Sequence, residues 1–108
     1  MPRFLIERDI PGAGAMTPDQ LAGATRQSNA VLAAMDGDIQ WRHSYVAGDR
    51  IYCVYDAASE RLIREHAERS GFPANKITPV SAIIDPGFNA ERPAPAELRP
   101  REPATSIP

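Results

Sequence analysis

At 108 residues the chain is long enough for one domain but not for a large core, because short chains bury a smaller fraction of their surface. A net charge of −2 and an isoelectric point near 5.6 leave no electrostatic footprint for nucleic acid. No apolar run could span a bilayer, the N-terminus lacks the apolar stretch of a secretory signal, and a single cysteine cannot form an internal disulfide. A cytoplasmic protein in a reducing compartment is therefore expected.

Residues 3–10 read as a strand, and the breaker-rich Pro11-Gly12-Ala13-Gly14-Ala15 as a loop. A helix then begins with Thr17 at the N-cap, Pro18 at the first helical position and Gln20 completing a capping box. Its apolar stripe of Leu21, Ala24, Val31, Leu32 and Met35 has Ser28 inside it, and Asp36-Gly37-Asp38 ends it. Trp41 to Val46 and Tyr52 to Asp56 follow as two runs rich in aromatic and β-branched residues. Gly48-Asp49 lies between them, so they form a hairpin. The hairpin holds the only tryptophan, all three tyrosines, the only cysteine and one of two histidines.

Ser59 suits the N-cap of a second helix, which Gly71 and Pro73 terminate; Leu62, Ile63, His66, Ala67 and Ser70 share one face of it. Ile77 to Ile84 reads as a last strand, at an edge or bulged because of Pro79. From residue 86 the prolines break all periodicity and the charges balance, so residues 86–108 form an extended or disordered tail after a domain of residues 1–85, with Phe88 a candidate to dock back. The order β-α-β-β-α-β gives an α+β fold of the ferredoxin-like arrangement, a four-stranded antiparallel sheet with both helices on one face. One cysteine cannot hold an iron–sulfur cluster, so the name describes topology alone.

The runs His43-Ser44-Tyr45-Val46, Tyr52-Cys53-Val54-Tyr55-Asp56-Ala57, Ile63-Arg64, Ala67-Glu68-Arg69 and Ile84-Asp85-Pro86, with the opening Met1-Pro2-Arg3-Phe4-Leu5, carry a resemblance. Over residues 1–86 the chain resembles a small bacterial domain-of-unknown-function family of ferredoxin-like proteins, one member of which is described as a nickel-binding homodimer. The resemblance implies nickel as cofactor and a homodimer. Some members carry histidines on the first strand and a histidine pair on the second helix. Here the first strand has none, and Ser70 stands where the second helical histidine would be, beside His66. The hairpin turn is also shorter than the family pattern.

His43 and Cys53 are the leading metal candidates, since imidazole and thiolate both suit nickel, copper or zinc. A two-residue Gly48-Asp49 turn places them on opposite faces, whereas a three-residue loop from Ala47 puts them directly across from each other; the residues favour neither turn decisively. Against ligation, a free cysteine is most often a buried core residue. His66 sits on a helix face that packs on the sheet, so its imidazole needs a partner: a ligand in a helix–sheet pocket, or a core hydrogen bond. Asp56 and Glu7 read as structural carboxylates. Gly12-Ala13-Gly14 lacks the third glycine and the lysine of phosphate loops. The sheet face without helices is half apolar, and a two-fold dimer would bury it. The expected function is metal binding that sequesters or senses a divalent ion rather than catalysis, with His43, Cys53 and His66 as ligands. The alternatives are a small-ligand or enzymatic pocket around His66 and a purely structural dimerisation module.

Overall fold

The computed structural model describes residues 1–91. In chain order it contains β1 (Arg3–Asp9), α1 (Pro18–Ala34), β2 (Ile39–Ala47), β3 (Arg50–Ala57), α2 (Glu60–Ser70) and β4 (Lys76–Pro79), with a 3-10 turn at Ala13–Ala15. The strands lie in the order β2-β3-β1-β4, every neighbouring pair antiparallel. This is the ferredoxin-like α+β fold that the element order predicts. Most of the expected tail, residues 92–108, lies outside the described residues.

Local chemistry accounts for the helix boundaries. At the start of α1 the Thr17 side chain accepts from the Gln20 N–H at 3.2 Å, and the Gln20 side chain accepts from the Thr17 N–H at 2.9 Å, so two otherwise orphaned donors are satisfied reciprocally. Helix α2 begins after Ser59 as predicted, but the Ser59 side chain makes no capping bond. It ends at Gly71, whose φ of 79° is the left-handed conformation that glycine adopts without penalty.

The core forms where α1 and α2 cover one face of the sheet. Phe4 and Ile6 from β1, Cys53, Tyr55 and Ala57 from β3, Met35 after α1, and Leu62 and Ile63 from α2 are all buried in one cluster. Strand alternation sends Arg3, Leu5, Glu7 and Asp9 to the opposite, open face. The predicted last strand is shorter than expected. It ends at Pro79, because the Val80 N–H bonds the carbonyl of Arg3, where β1 begins, and beyond that point the chain has no partner strand.

Strand β2 contains a bulge at Arg42: Trp41 pairs with Tyr55, yet His43 already pairs with Val54. The extra residue reverses the alternation. Trp41 and Ser44 therefore both face the helices, joined by a 2.9 Å bond from the indole N–H to the Ser44 hydroxyl, while Arg42 bonds Asp56 on the open side.

Candidate functional site

The hairpin turn decides which donors can meet. Ala47 pairs with Arg50, so the turn has two residues, and Gly48 takes a φ of 60°, as a type II′ turn requires at its first position. The Pro11–Ala15 loop clasps this turn from the side. The Ile10 N–H donates to the Asp49 carbonyl at 2.9 Å, the Gly12 N–H to the Asp49 carboxylate at 2.9 Å, and the Gly14 N–H to the Gly48 carbonyl at 2.7 Å. A Cβ at Gly14 would stand 2.9 Å from that carbonyl oxygen. The glycine-rich segment thus holds the hairpin, and the two glycine N–H groups a phosphate loop would use are engaged there.

In this register Ser44 lies across from Cys53, and His43 lies across from Val54. Cys53 is buried on the helix side; His43 is exposed on the open side. The sheet separates them, and a mononuclear site cannot take both from one chain.

The helix side carries a polar group that the motifs did not single out. Arg8 follows Phe4 and Ile6 on the inward face of β1 and is 2 % exposed. Its Nε donates to Cys53 Sγ at 3.3 Å, its Nη1 donates to the Pro73 carbonyl at 2.8 Å, and its guanidinium lies 5.9 Å from the centre of the Phe72 ring. Nη2 has no hydrogen-bond partner. Among the described residues no carboxylate pairs with Arg8; the ion-paired acids Glu7, Asp9, Asp56, Glu60 and Glu65 bind Arg3, Arg42, Arg50 and the arginines of α2 instead. A buried cation without a counter-charge costs about several kcal/mol of folding stability. Arg8 lines a cavity of about 370 Å³ between α1 and the sheet, whose wall is otherwise mostly apolar. Alternation past Phe4 and Ile6 is the sequence signal that could have found it.

His66 lies beneath this cavity, not in its wall. Its Nε2 is 3.1 Å from the Ser28 hydroxyl, which explains why a serine interrupts the apolar stripe of α1. The imidazole packs against Tyr55 with ring centres 5.4 Å apart, and Nδ1 is buried without a partner. The pocket expected around His66 is displaced: Ser28, Cys53 and Tyr55 line the cavity, and His66 stands behind Ser28. Burial pushes the Tyr55 phenol above its ordinary value, opposed by the Ser28 hydroxyl and by Arg8. Burial, and next the charge of Arg8, push the His66 imidazole below its ordinary 6.5, against the favourable contact with Ser28.

Well above pH 6.5 His66 is neutral in both the folded and unfolded chain, and its contribution is fully present. As the pH falls below that value the unfolded chain takes up a proton that the folded chain refuses, so stability is lost until the buried imidazole is itself protonated. Melts taken from about pH 7.5 down to about pH 5 should show a falling midpoint, and His66→Gln should flatten that slope. An equal slope in the variant would contradict this role.

On the open face His43 stands with its ring edge-on to Tyr45, centres 5.1 Å apart, and Tyr45 is 59 % exposed. Asp56 is held by Arg3, at 2.6 and 3.1 Å, and by Arg42 at 2.6 Å. The hydrogen bonds from Arg3 hold its carboxyl below the usual range, and those from Arg42 add to this against the effect of burial. Glu7 faces Arg50 at 3.5 Å. Both carboxylates are structural, as expected, with Asp56 serving two arginines.

Among the described residues no three histidine, cysteine, aspartate or glutamate side chains are grouped so as to hold a metal ion. The structure leaves His43, Cys53 and His66 apart: one on the open face, one inside the sheet–helix core beside Arg8, one bonded to Ser28. Residues 4–80 match the family model described as nickel responsive protein SCO4226-like. The chain belongs to this family. The SCO4226-like fold is seen in the crystal structure of SCO4226 from Streptomyces coelicolor A3(2), which aligns at a TM-score of 0.63 and 25 % identity, covering 76 % of this chain and 99 % of that one. No curated protein matches the chain. Among the described residues of this SCO4226-like protein, no helix is long and apolar enough to cross a membrane.

Proposed function

We propose that this chain binds a divalent metal, nickel first, at a site assembled between two copies that meet through their open sheet faces, with His43 supplying the imidazole. Membership in a nickel-responsive family supports the choice of metal. The observation that carries the reading is the position of His43: it is the exposed histidine of the two, on the sheet face that no helix covers, while His66 and Cys53 are withdrawn into the core. One chain presents too few donors there, and a two-fold dimer presents each of them twice. Imidazole is a suitable ligand for nickel, and solvent would complete the coordination. Such a protein sequesters or senses the ion and has no need of catalytic groups.

The test is a calorimetric titration of the untagged chain with nickel, alongside size-exclusion chromatography. Saturable heat at one ion per two chains, with a dimer in solution, is the expected result. His43→Ala should weaken binding roughly tenfold or more. Unchanged affinity in that variant, or no heat from the parent chain, would contradict the assignment.

A further inference from the structure

Arg8 and the cavity it lines have no role in the metal reading, and they stand on the other side of the sheet from His43. The cavity, about 370 Å³, falls at the small end of the range of small-molecule sites. It lies between α1 and the inner face of the hairpin, with the exposed Thr25 and Val46 at its edge and Leu21, Trp41 and Ile51 in its wall. An apolar chamber of this kind with few polar groups is the usual form of a ligand site. The polar groups in the wall include a cation and hydroxyls but no acid. Arg8 brings a positive charge at the inner end, its Nη2 buried near Tyr55 without a geometric hydrogen-bond partner, and Tyr55, Ser28, Thr25 and Ser44 in the wall bring hydroxyls. No acid offsets the charge among the described residues.

We propose that this cavity binds a small apolar monocarboxylate, its carboxylate at the Arg8 end and its hydrocarbon body against Trp41, Leu21 and Ile51. Guanidinium recognises the planar carboxylate specifically, and the bond is strengthened by the low dielectric of the site. A monoanion matches the single charge of Arg8. A phosphate, with more charge and more oxygens to satisfy, would meet mainly hydrocarbon there. The ligand supplies the counter-charge that the chain omits, so the unpaired guanidinium is a prepared half of an ion pair.

Trp41 is the sole tryptophan of the chain and lines the cavity, so its fluorescence reports occupancy. The full chain, with excess chelator present to remove metal, is titrated with hexanoate and with 1-hexanol, matched in length and differing in charge. Hexanoate should give a saturable change and bind roughly tenfold more tightly than the alcohol. Arg8→Met should make the two equal. Equal affinities in the parent chain, no saturable change with either probe, or a preference that survives Arg8→Met would overturn the proposal. Should Arg8→Met fail to fold, Ala24→Leu decides. Its longer side chain enters the cavity from α1 and should weaken hexanoate roughly tenfold or more in a folded chain, whereas undiminished binding would overturn the site.

Discussion

Arg8→Met should make this protein more stable. The guanidinium is 2 % exposed and has no acidic partner among the described residues, so folding strips its hydration without a compensating charge. Methionine has comparable length, packs well on an aromatic ring and would keep the contact with Phe72. Two hydrogen bonds are lost. One goes to the Cys53 sulfur, a weak acceptor, and the other to the carbonyl of Pro73, an exposed residue whose carbonyl can turn to water. The balance favours the variant by about 1–3 kcal/mol, within the gains seen when buried charged groups are exchanged for hydrophobes. In a domain of this size that raises the thermal midpoint by about 5 °C or more. A midpoint lowered by a similar amount would show instead that Arg8 holds the segment after α2 to the sheet. A buried group that costs stability fits a role in binding, the trade-off common at functional sites.

Tyr55→Ala should have the largest effect in the other direction. Tyr55 is 2 % exposed at the centre of the inner face, stacked on Trp41 with ring centres 6.4 Å apart and packed on His66. Truncating a buried aromatic costs about 3–5 kcal/mol, the lost transfer energy plus the cavity left behind. Native domains hold only about 5–15 kcal/mol in total, and a small core sits toward the low end. Urea unfolding should therefore show a midpoint moved far toward zero denaturant, with a substantial unfolded population in water. Tyr55→Phe isolates the hydroxyl. It keeps the stack, and Ser28 keeps its contact with His66, so the cost should stay within about 1 kcal/mol. Comparable losses in both variants would mean that the hydroxyl network, not ring packing, holds this part of the core.

Local chemistry in the sequence was enough for the skeleton. Thr17, Pro18 and Gln20 announce the start of α1, Gly71 announces the end of α2, and two aromatic runs around Gly48-Asp49 announce the hairpin. These signals act over a few residues, so they survive without tertiary information. The faces of the hairpin were not legible in the same way. Its two-residue turn is clasped by backbone groups of Ile10, Gly12 and Gly14, more than thirty residues earlier in the chain. The bulge at Arg42 reverses the alternation midway along β2, and nothing in the composition of that strand marks it. The length of β4 was set by where β1 begins, again a long-range condition.

The candidate site divides along the same line. Ser28 in the apolar stripe of α1 and His66 on the inward face of α2 were each visible as polar residues needing a partner, and the fold pairs them with each other. Arg8 was visible only as the next inward position after Phe4 and Ile6. Arginine is rarely buried, so that position reads as solvent-facing until the structure shows the wall around it.

The sheet keeps the candidate donors apart, with imidazole from His43 outside and the Cys53 sulfur inside. Nickel added to the untagged chain and followed by absorbance tests this directly, because a thiolate bound to nickel gives an intense charge-transfer band and an imidazole does not. The prediction is a titration with no thiolate band, unchanged in Cys53→Ser and shifted to roughly tenfold or more higher nickel in His43→Ala. A thiolate-to-nickel band that disappears in Cys53→Ser would contradict the account, since it would require the ion to reach the inner face of the sheet.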